Sequence, residues 1–370
     1  MEAERTKRTP DIQGGEAAAA KNEGSRGETP DAGAPDERYS RQTLFAPIGA
    51  EGQRRLAERR VCIVGMGALG TVLANHMVRA GVGSVRIVDR DYVERSNLQR
   101  QMLYDEEDAE LALPKVVAAE RKLRRINSSI SLEAVTADVT PGNATELIEG
   151  ADLVLDGTDN FQTRFLLNDV CYREGIPFVY GGAVGSRGMS AIFVPGATPC
   201  LRCLIPAADS GGETCDTVGV ISPVVDLVAS YQAAEALKFL VGDEAARRDG
   251  LVTFDVWNNY YHVLKLGRPR EDCLCCGLRQ YPALGREEET TLSLCGRDSI
   301  QIAGRAPFDL ELWERKLSAA LPGLKANPYL LRGALPEGGR IVLFADGRVL
   351  VQGTDDPVRA RTIYDRYIGS

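Results

Sequence analysis

The feature that most constrains this chain is a strand-to-helix glycine turn. The apolar run Val61-Cys62-Ile63-Val64 ends in Gly65-Met66-Gly67-Ala68-Leu69-Gly70, and a helical stretch follows to about Ala80. Val85-Arg86-Ile87-Val88-Asp89 then reads as a second strand. Strand, tight turn, helix and strand make one βαβ unit, and such units build a parallel sheet with helices on its faces. The glycines permit close backbone approach, and the helix N-terminus attracts anionic phosphate. Asp89 ends the second strand, where a carboxylate can accept hydrogen bonds from ribose hydroxyls. This combination points to a nucleotide without saying which. No GxxxxGK[ST] is present, which excludes a P-loop NTPase.

The pattern continues downstream. Pro114 opens a helix to about Ile126, Leu153–Asp156 is a buried strand, and Asn160–Arg173 is a helix. Phe178–Tyr180 is the next strand, and the alternation from Met189 to Val194 marks an antiparallel one. A helix spans Pro223–Leu240, and Val252–Val256 with Tyr260–Leu266 forms a hairpin. The expected fold is therefore α/β: a Rossmann-like, doubly wound, largely parallel sheet with antiparallel strands toward its C-terminal side. A composition break near Tyr281–Thr290 separates residues 38–282 from a small α+β module at 290–370. In that module Ser299–Ile302 is a strand, Phe308–Leu321 a helix and Ile341–Val351 a hairpin turning at Asp346-Gly347, and Asp356-Pro357 caps a last helix. Residues 1–37 hold almost no large apolar side chains and are expected to be a disordered tail.

Composition narrows the chemistry. The 370 residues carry a formal charge of −8, which repels nucleic-acid backbones. No stretch reaches the ~18 uninterrupted apolar residues of a membrane span. Two histidines, His76 and His262, disfavour His-based nucleophilic catalysis and His-rich metal sites. Nine cysteines with no secretory signal before them suggest reduced thiols in the cytoplasm. Four of the nine pair as Cys200-x-x-Cys203 and Cys273-x-x-Cys276, a spacing that suits a closed structural zinc site. Cys275 competes for one place, but CxxC spacing favours Cys273 with Cys276. Cys62 and Cys171 lie on apolar faces and read as inert core thiols. Cys295 has no base near it in sequence.

Three polar segments follow strand ends or open helices, so a parallel sheet would gather them at one rim: Ser96-Asn97-Leu98-Gln99-Arg100, Leu113-Pro114-Lys115 and Gly157-Thr158-Asp159-Asn160. Arg100 and Lys115 can balance triphosphate charge, and Asp159 can hold Mg²⁺.

With Arg38-Tyr39-Ser40-Arg41-Gln42 added, these motifs occur in the order found in the ThiF/MoeB/HesA family, bacterial relatives of the ubiquitin-activating enzymes. The sequence resembles that family from about Arg38 to Gly277. The resemblance implies that ATP and Mg²⁺ are used to adenylate the C-terminal glycine of a ubiquitin-like sulfur-carrier protein ending in Gly-Gly. Pyrophosphate is released, and the acyl-adenylate then takes sulfur from a donor such as a cysteine desulfurase, for thiamin or molybdopterin synthesis. It further implies that Gly65, Gly67, Gly70, Asp89, Ser96, Asn97, Leu98, Gln99 and Asn160 line the nucleotide site. Arg100 and Lys115 neutralise phosphate, Asp159 holds Mg²⁺, and Arg41 reaches across a homodimer. Cys215 matches a loop where some members carry a cysteine for sulfur or acyl transfer. The C-terminal module lies outside the resemblance. Rival readings are an NAD-dependent oxidoreductase, a binding protein that has lost catalysis, and activation of another carboxylate on a peptide or a tRNA base.

Overall fold

The computed structural model describes residues 37–205, 218–286, 291–294, 298–304, 306–321 and 323–369. Residues 1–36 of the expected tail, Cys215 and Cys295 lie outside the described residues.

Eight strands form the first sheet in the order β3-β2-β1-β4-β5-β6-β7-β8. They are β1 (Arg60–Val64), β2 (Ser84–Asp89), β3 (Ser131–Thr136), β4 (Leu153–Asp156), β5 (Phe178–Val184), β6 (Arg187–Phe193), β7 (Leu251–Asp255) and β8 (Tyr260–Leu264). Pairing is parallel from β3 to β5 and antiparallel from β5 to β8. The doubly wound class read from the sequence is the one observed.

The continuous apolar strands sort their residues alternately to two faces, as period-two geometry requires. Val61, Ile63, Leu153 and Leu155 face helices α1 (Ala68–Ala80), α2 (Lys115–Ile126) and α4 (Ser222–Val241). Cys62, Val64, Val154 and Phe178 face helix α3 (Phe161–Glu174). Strand β3 escapes a sequence reading because Ser131-Leu-Glu-Ala-Val-Thr136 is a half-polar edge strand with no apolar run. Among the described residues no helix is long and apolar enough to cross a membrane.

The second sheet has the order β11-β12-β13-β14-β10-β9 and is antiparallel throughout. Its strands are β9 (Thr291–Leu294), β10 (Ser299–Ala303), β11 (Lys325–Ala326), β12 (Leu330–Ala334), β13 (Arg340–Phe344) and β14 (Arg348–Gln352). The Asp346-Gly347 hairpin falls between β13 and β14 as read, with Gly347 at φ 102°. The expected helix at Phe308–Leu321 is shorter, α5 (Leu310–Leu317), because the Asp309 carboxylate accepts from the Leu312 amide and starts the helix there. On one face Ile341, Leu343, Val349 and Val351 pack against α5 and α6 (Pro357–Tyr367). On the other, Leu330, Val342, Phe344 and Leu350 cover Tyr92 and Ala112 from the connections that follow β2. A cavity of about 540 Å³ remains in this seam, lined in part by Arg95, Ser96, Arg332 and Arg340.

Candidate active site

Sheet register brings the polar motifs together. Val64 of β1 pairs with Val88 of β2 and with Asp156 of β4, so three strands end side by side. The loops leaving them are the glycine turn, Asp89–Asp91 and Gly157–Asn160. They lie where the strand order reverses direction, the usual crevice for a ligand in such sheets.

The glycines serve packing and access separately. Gly65 has φ +89°, and a Cβ on Gly70 would lie 1.8 Å from the Gly65 carbonyl oxygen. Both positions therefore exclude any other residue. Gly67 differs: a Cβ there would meet only the Gln101 amide nitrogen, 3.9 Å away. Gly67 is also the N-cap of α1 and supplies no side-chain cap. The first amides of this 13-residue helix are consequently left at the crevice with no side-chain cap among the described residues.

Asp89 is built into the turn. Its Oδ2 accepts from the Met66 amide at 2.6 Å and its Oδ1 from the Asp91 amide at 2.7 Å. Burial pushes its carboxyl above the usual carboxylate range, opposed first by the nearby Lys115 ammonium. Lys115 is 2% exposed and donates from Nζ to Asp91 Oδ2 at 3.0 Å. Its backbone amide donates to the Asp91 carbonyl at 2.9 Å, so the ammonium is fixed from both ends. The Tyr104 hydroxyl donates to the Met66 carbonyl at 2.7 Å and sits 3.2 Å from the Lys115 carbonyl, sharing its one proton between them, which ties the lysine to the glycine turn.

The run Ser96–Gln101 is brought over this turn by the same contacts. Asn97 is buried, and its Oδ1 accepts from the Glu94 amide at 3.0 Å, so its carbonyl oxygen shapes the loop. Ser96 and Gln99 are exposed, and Leu98 is half-buried against the core. Arg100 donates from Nη1 to the Ser96 carbonyl at 3.1 Å. Gln101 lies beside Gly67, 2% exposed, and its Oε1 has no hydrogen-bond partner among the described residues. The sequence reading gave Gln101 no role.

Asp159 is exposed on the next loop, and Asn160 caps α3 by accepting from the Thr163 amide at 2.8 Å. Beneath them lies a residue the sequence reading missed. Arg164 donates to the fully buried Asp156 carboxylate at 3.0 Å and to the carbonyls of Thr158 and Gly181 at 2.6 and 2.9 Å. Asp156 in turn accepts from the Thr158 amide and hydroxyl. Burial raises the Asp156 carboxyl, and Arg164 opposes that rise. A carboxylate ending an apolar strand was the available signal, because it demands a cation nearby.

Arg41 is not brought to this crevice. It is exposed on a short helix, Ser40–Thr43, that docks at the far end of α1: Gln42 donates to the Ala80 carbonyl at 2.9 Å, and Tyr39 hydroxyl accepts from Asn127 at 2.8 Å. Thirteen residues of helix, about 20 Å, separate that end from the glycine turn.

The cysteines converge as their spacing predicts. The sulfurs of Cys200, Cys203, Cys273 and Cys276 all lie within 4.8 Å of one another, with Cys200–Cys273 at 3.6 Å and Cys203–Cys276 at 3.3 Å. Tetrahedral zinc with bonds of about 2.3 Å sets sulfurs about 3.8 Å apart, so the donor set and its spacing fit zinc. Cys275 is outside this group and accepts a hydrogen bond from Asn168 at 3.3 Å. The hydrogen bond with Cys275 and burial push the Cys200 thiol far up, as burial does at Cys276. Helix α3 supports the cluster: Asn168 accepts from the Leu201 amide, and buried Asp169 takes Arg202 through both oxygens at 2.7 Å and the Ala283 amide at 2.9 Å. Elsewhere, burial pushes the Cys62 thiol up to about 12 and raises the Cys171 thiol as well, as inert core thiols should behave.

Comparison with known proteins follows this geometry. Residues 39–275 match the model of the ThiF family. The chain is 48% identical over 336 residues to the sulfur carrier protein ThiS adenylyltransferase of Bacillus subtilis, covering 90% of this chain and 99% of the relative. That match is too long to be confined to residues 39–275. A sulfur carrier protein adenylyltransferase of Thermus thermophilus is 38% identical, over 65% of this chain and 90% of its own. Among solved structures, Escherichia coli MccB aligns with a TM-score of 0.58 at 24% identity over 70% of this chain and 76% of that one, a likeness of fold.

Proposed function

Since the chain belongs to the ThiF family, we propose that it is an adenylyltransferase acting on a ubiquitin-like sulfur-carrier protein for thiamin or molybdopterin synthesis. A carboxylate oxygen of the carrier's C-terminal glycine attacks the α-phosphorus of ATP. The new P–O bond forms as the bond to the β-phosphate oxygen breaks, and pyrophosphate leaves. A C-terminal carboxylate is ionised near neutrality, so the step needs no general base. It needs an aligned nucleophile and charge stabilisation.

The observation that supports this most directly is the fixed Lys115 ammonium beside an uncapped helix N-terminus at the sheet's carboxyl edge. In this reading Gly67 lets the phosphates approach the α1 amides, and Asp89 receives the ribose hydroxyls through lone pairs its turn contacts leave available. Lys115 and Arg100 balance phosphate charge, with Ser96, Asn97, Leu98, Gln99 and Asn160 completing the walls. Asp159 would hold Mg²⁺, which when bound offsets charge on the triphosphate. The four clustered cysteines would hold zinc with no open position, a structural role. Arg41 lies away from its own crevice, and in a homodimer it would serve the partner's.

Pyrophosphate exchange into ATP, dependent on a carrier ending in Gly-Gly, tests the reading. Exchange is expected for the wild type and nearly absent for Asp159→Ala and Arg41→Ala alone. Mixed under subunit exchange, the two variants should regain activity, since one site per heterodimer is intact. Absence of carrier-dependent exchange in the wild type would overturn the function. Confirmed subunit exchange without recovery would remove Arg41 from the site.

A further inference from the structure

The C-terminal sheet could adhere through its apolar face alone, yet it also buries polar side chains against one particular feature of the first domain. That feature is a two-limbed ribbon. One limb is Asp89–Val93 and the other Leu111–Lys115, joined by Val93 amide to Leu113 carbonyl at 2.9 Å, the Tyr92–Pro114 bridge, and Lys115 amide to Asp91 carbonyl at 2.9 Å. The ribbon ends at the Asp91–Lys115 ion pair of the crevice.

The sheet holds each limb separately. On the first, Arg348 of β14 is 9% exposed and donates from Nη1 to the Arg90 carbonyl at 3.1 Å. Arg348 Nε is held by Asp346 at 2.7 Å. Gln301 of β10 donates to Asp138 at 2.8 Å, and the same carboxylate takes the Arg90 guanidinium at 2.9 and 3.0 Å. Arg90 is thus fixed by its carbonyl and its side chain, between Asp89 and Asp91. On the second limb, Asn327 donates from Nδ2 to the Leu111 and Ala112 carbonyls at 2.8 and 3.2 Å. Its Oδ1 meanwhile accepts the Tyr329 and Leu330 amides of its own turn. Ala112 sits at φ 49°, a conformation costly for alanine, so an outside grip has work to do there. Phe344 lies over Tyr92 between the two grips, ring centroids 6.3 Å apart.

From this placement we propose that the C-terminal sheet is a brace for the nucleotide crevice, with Arg348 and Asn327 as positioning residues that set Lys115 through the ribbon. The brace rests on the reading of the crevice as an ATP site. A lysine held in one place loses less freedom on meeting phosphate, so loosening the ribbon should weaken ATP more than the carrier.

Two variants of the full chain separate positioning from folding. Arg348→Met keeps the aliphatic stem and removes the donor to Arg90. Asn327→Asp keeps the acceptor for its own turn and removes the donor to the other limb. Arg366→Ala, which breaks only an exposed ion pair with Glu337 on the outer helix, is the control. In each of the first two variants the KM for ATP should rise about tenfold, the KM for the carrier should stay within about twofold, and amide exchange at Asp91 and Lys115 should quicken about tenfold. The control should change none of these. Faster amide exchange with an unchanged ATP KM, or ATP and carrier parameters worsening together, would overturn the brace. ATP bound by the wild type and held equally well by both variants would remove the brace and leave the function standing. A wild type that binds no ATP would remove both.

Discussion

At its N-terminal end α3 presents Asn160 and Arg164 to a crevice open to solvent. About two turns along, its Asn168 and Asp169 hold a cluster of thiols that is largely closed. The two sites share a helix and differ in what completes them. The charged groups that shape the crevice are paired within the chain: Asp156 meets Arg164, Asp91 meets Lys115, and Asp89 meets two amides. The cysteine cluster offers four converging sulfurs, a donor set that could hold a cation. A site meant to receive a ligand is held rigid by internal pairs. In the proposed zinc site, the ion itself would be the pair.

Removing the ion should therefore produce the larger effect. Stripping zinc with a chelator is expected to lower the melting temperature by about 10 °C or more, because metal binding free energy is folding free energy. Elemental analysis should find one zinc per chain beforehand. A metal-free chain of undiminished stability would erase the contrast between the two sites.

Next is Arg164→Met, which leaves Asp156 buried without its cation. The expected loss is about 3–5 kcal/mol in urea unfolding, with double replacement of Asp156 and Arg164 by apolar residues recovering much of it. A loss below about 1 kcal/mol would mean that the crevice does not depend on this pair.

The smallest effect belongs to a carboxylate that serves neither site. Asp255 accepts hydrogen bonds from Asn258, Ser186 and the Trp257 amide at the β7–β8 turn, and these hold its carboxyl down to about 2. A depressed folded value means that the stabilisation is complete above the unfolded value of about 3.9 and is lost as pH falls through about 2. Asp255→Asn should flatten stability across that window and leave pH 7 behaviour of both sites unchanged, as melting curves at stepped pH would show.

The crevice was legible in the sequence as backbone: glycines, strand ends and helix starts fix where loops go, and register did the rest. The cysteine cluster was legible as spacing. What stayed hidden was the second layer. Arg164 follows Asp156 by eight residues, and nothing local says that a helix will swing it back beneath the strand end. Asn97 was read as lining the site, and the hydrogen bond its carbonyl oxygen takes from the Glu94 amide was not foreseen. Strands β11 and β12 were missed because Lys325-Ala326 is two residues long and Leu330–Ala334 contains an arginine and a glycine, neither an alternating run. Pattern reading sees which faces are apolar. It does not see that Arg332, Arg348 and Gln301 sit on the sheet face turned toward the connections that follow β2 and β3.

The seam bears on where this chain can be cut. The match to the family model stops at residue 275, although the Bacillus subtilis relative aligns over 336 residues, and a fragment ending there would look natural by the family model alone. It would also uncover Tyr92 and Ala112, now 3% exposed each, beside the ribbon. Such a fragment would carry a raw apolar surface at the mouth of its own pocket and would tend to self-associate through it. For expression, crystallisation or fusion to a partner, the usable unit is therefore the longer one, with attachments placed ahead of Glu37 or after Tyr367 rather than between the sheets.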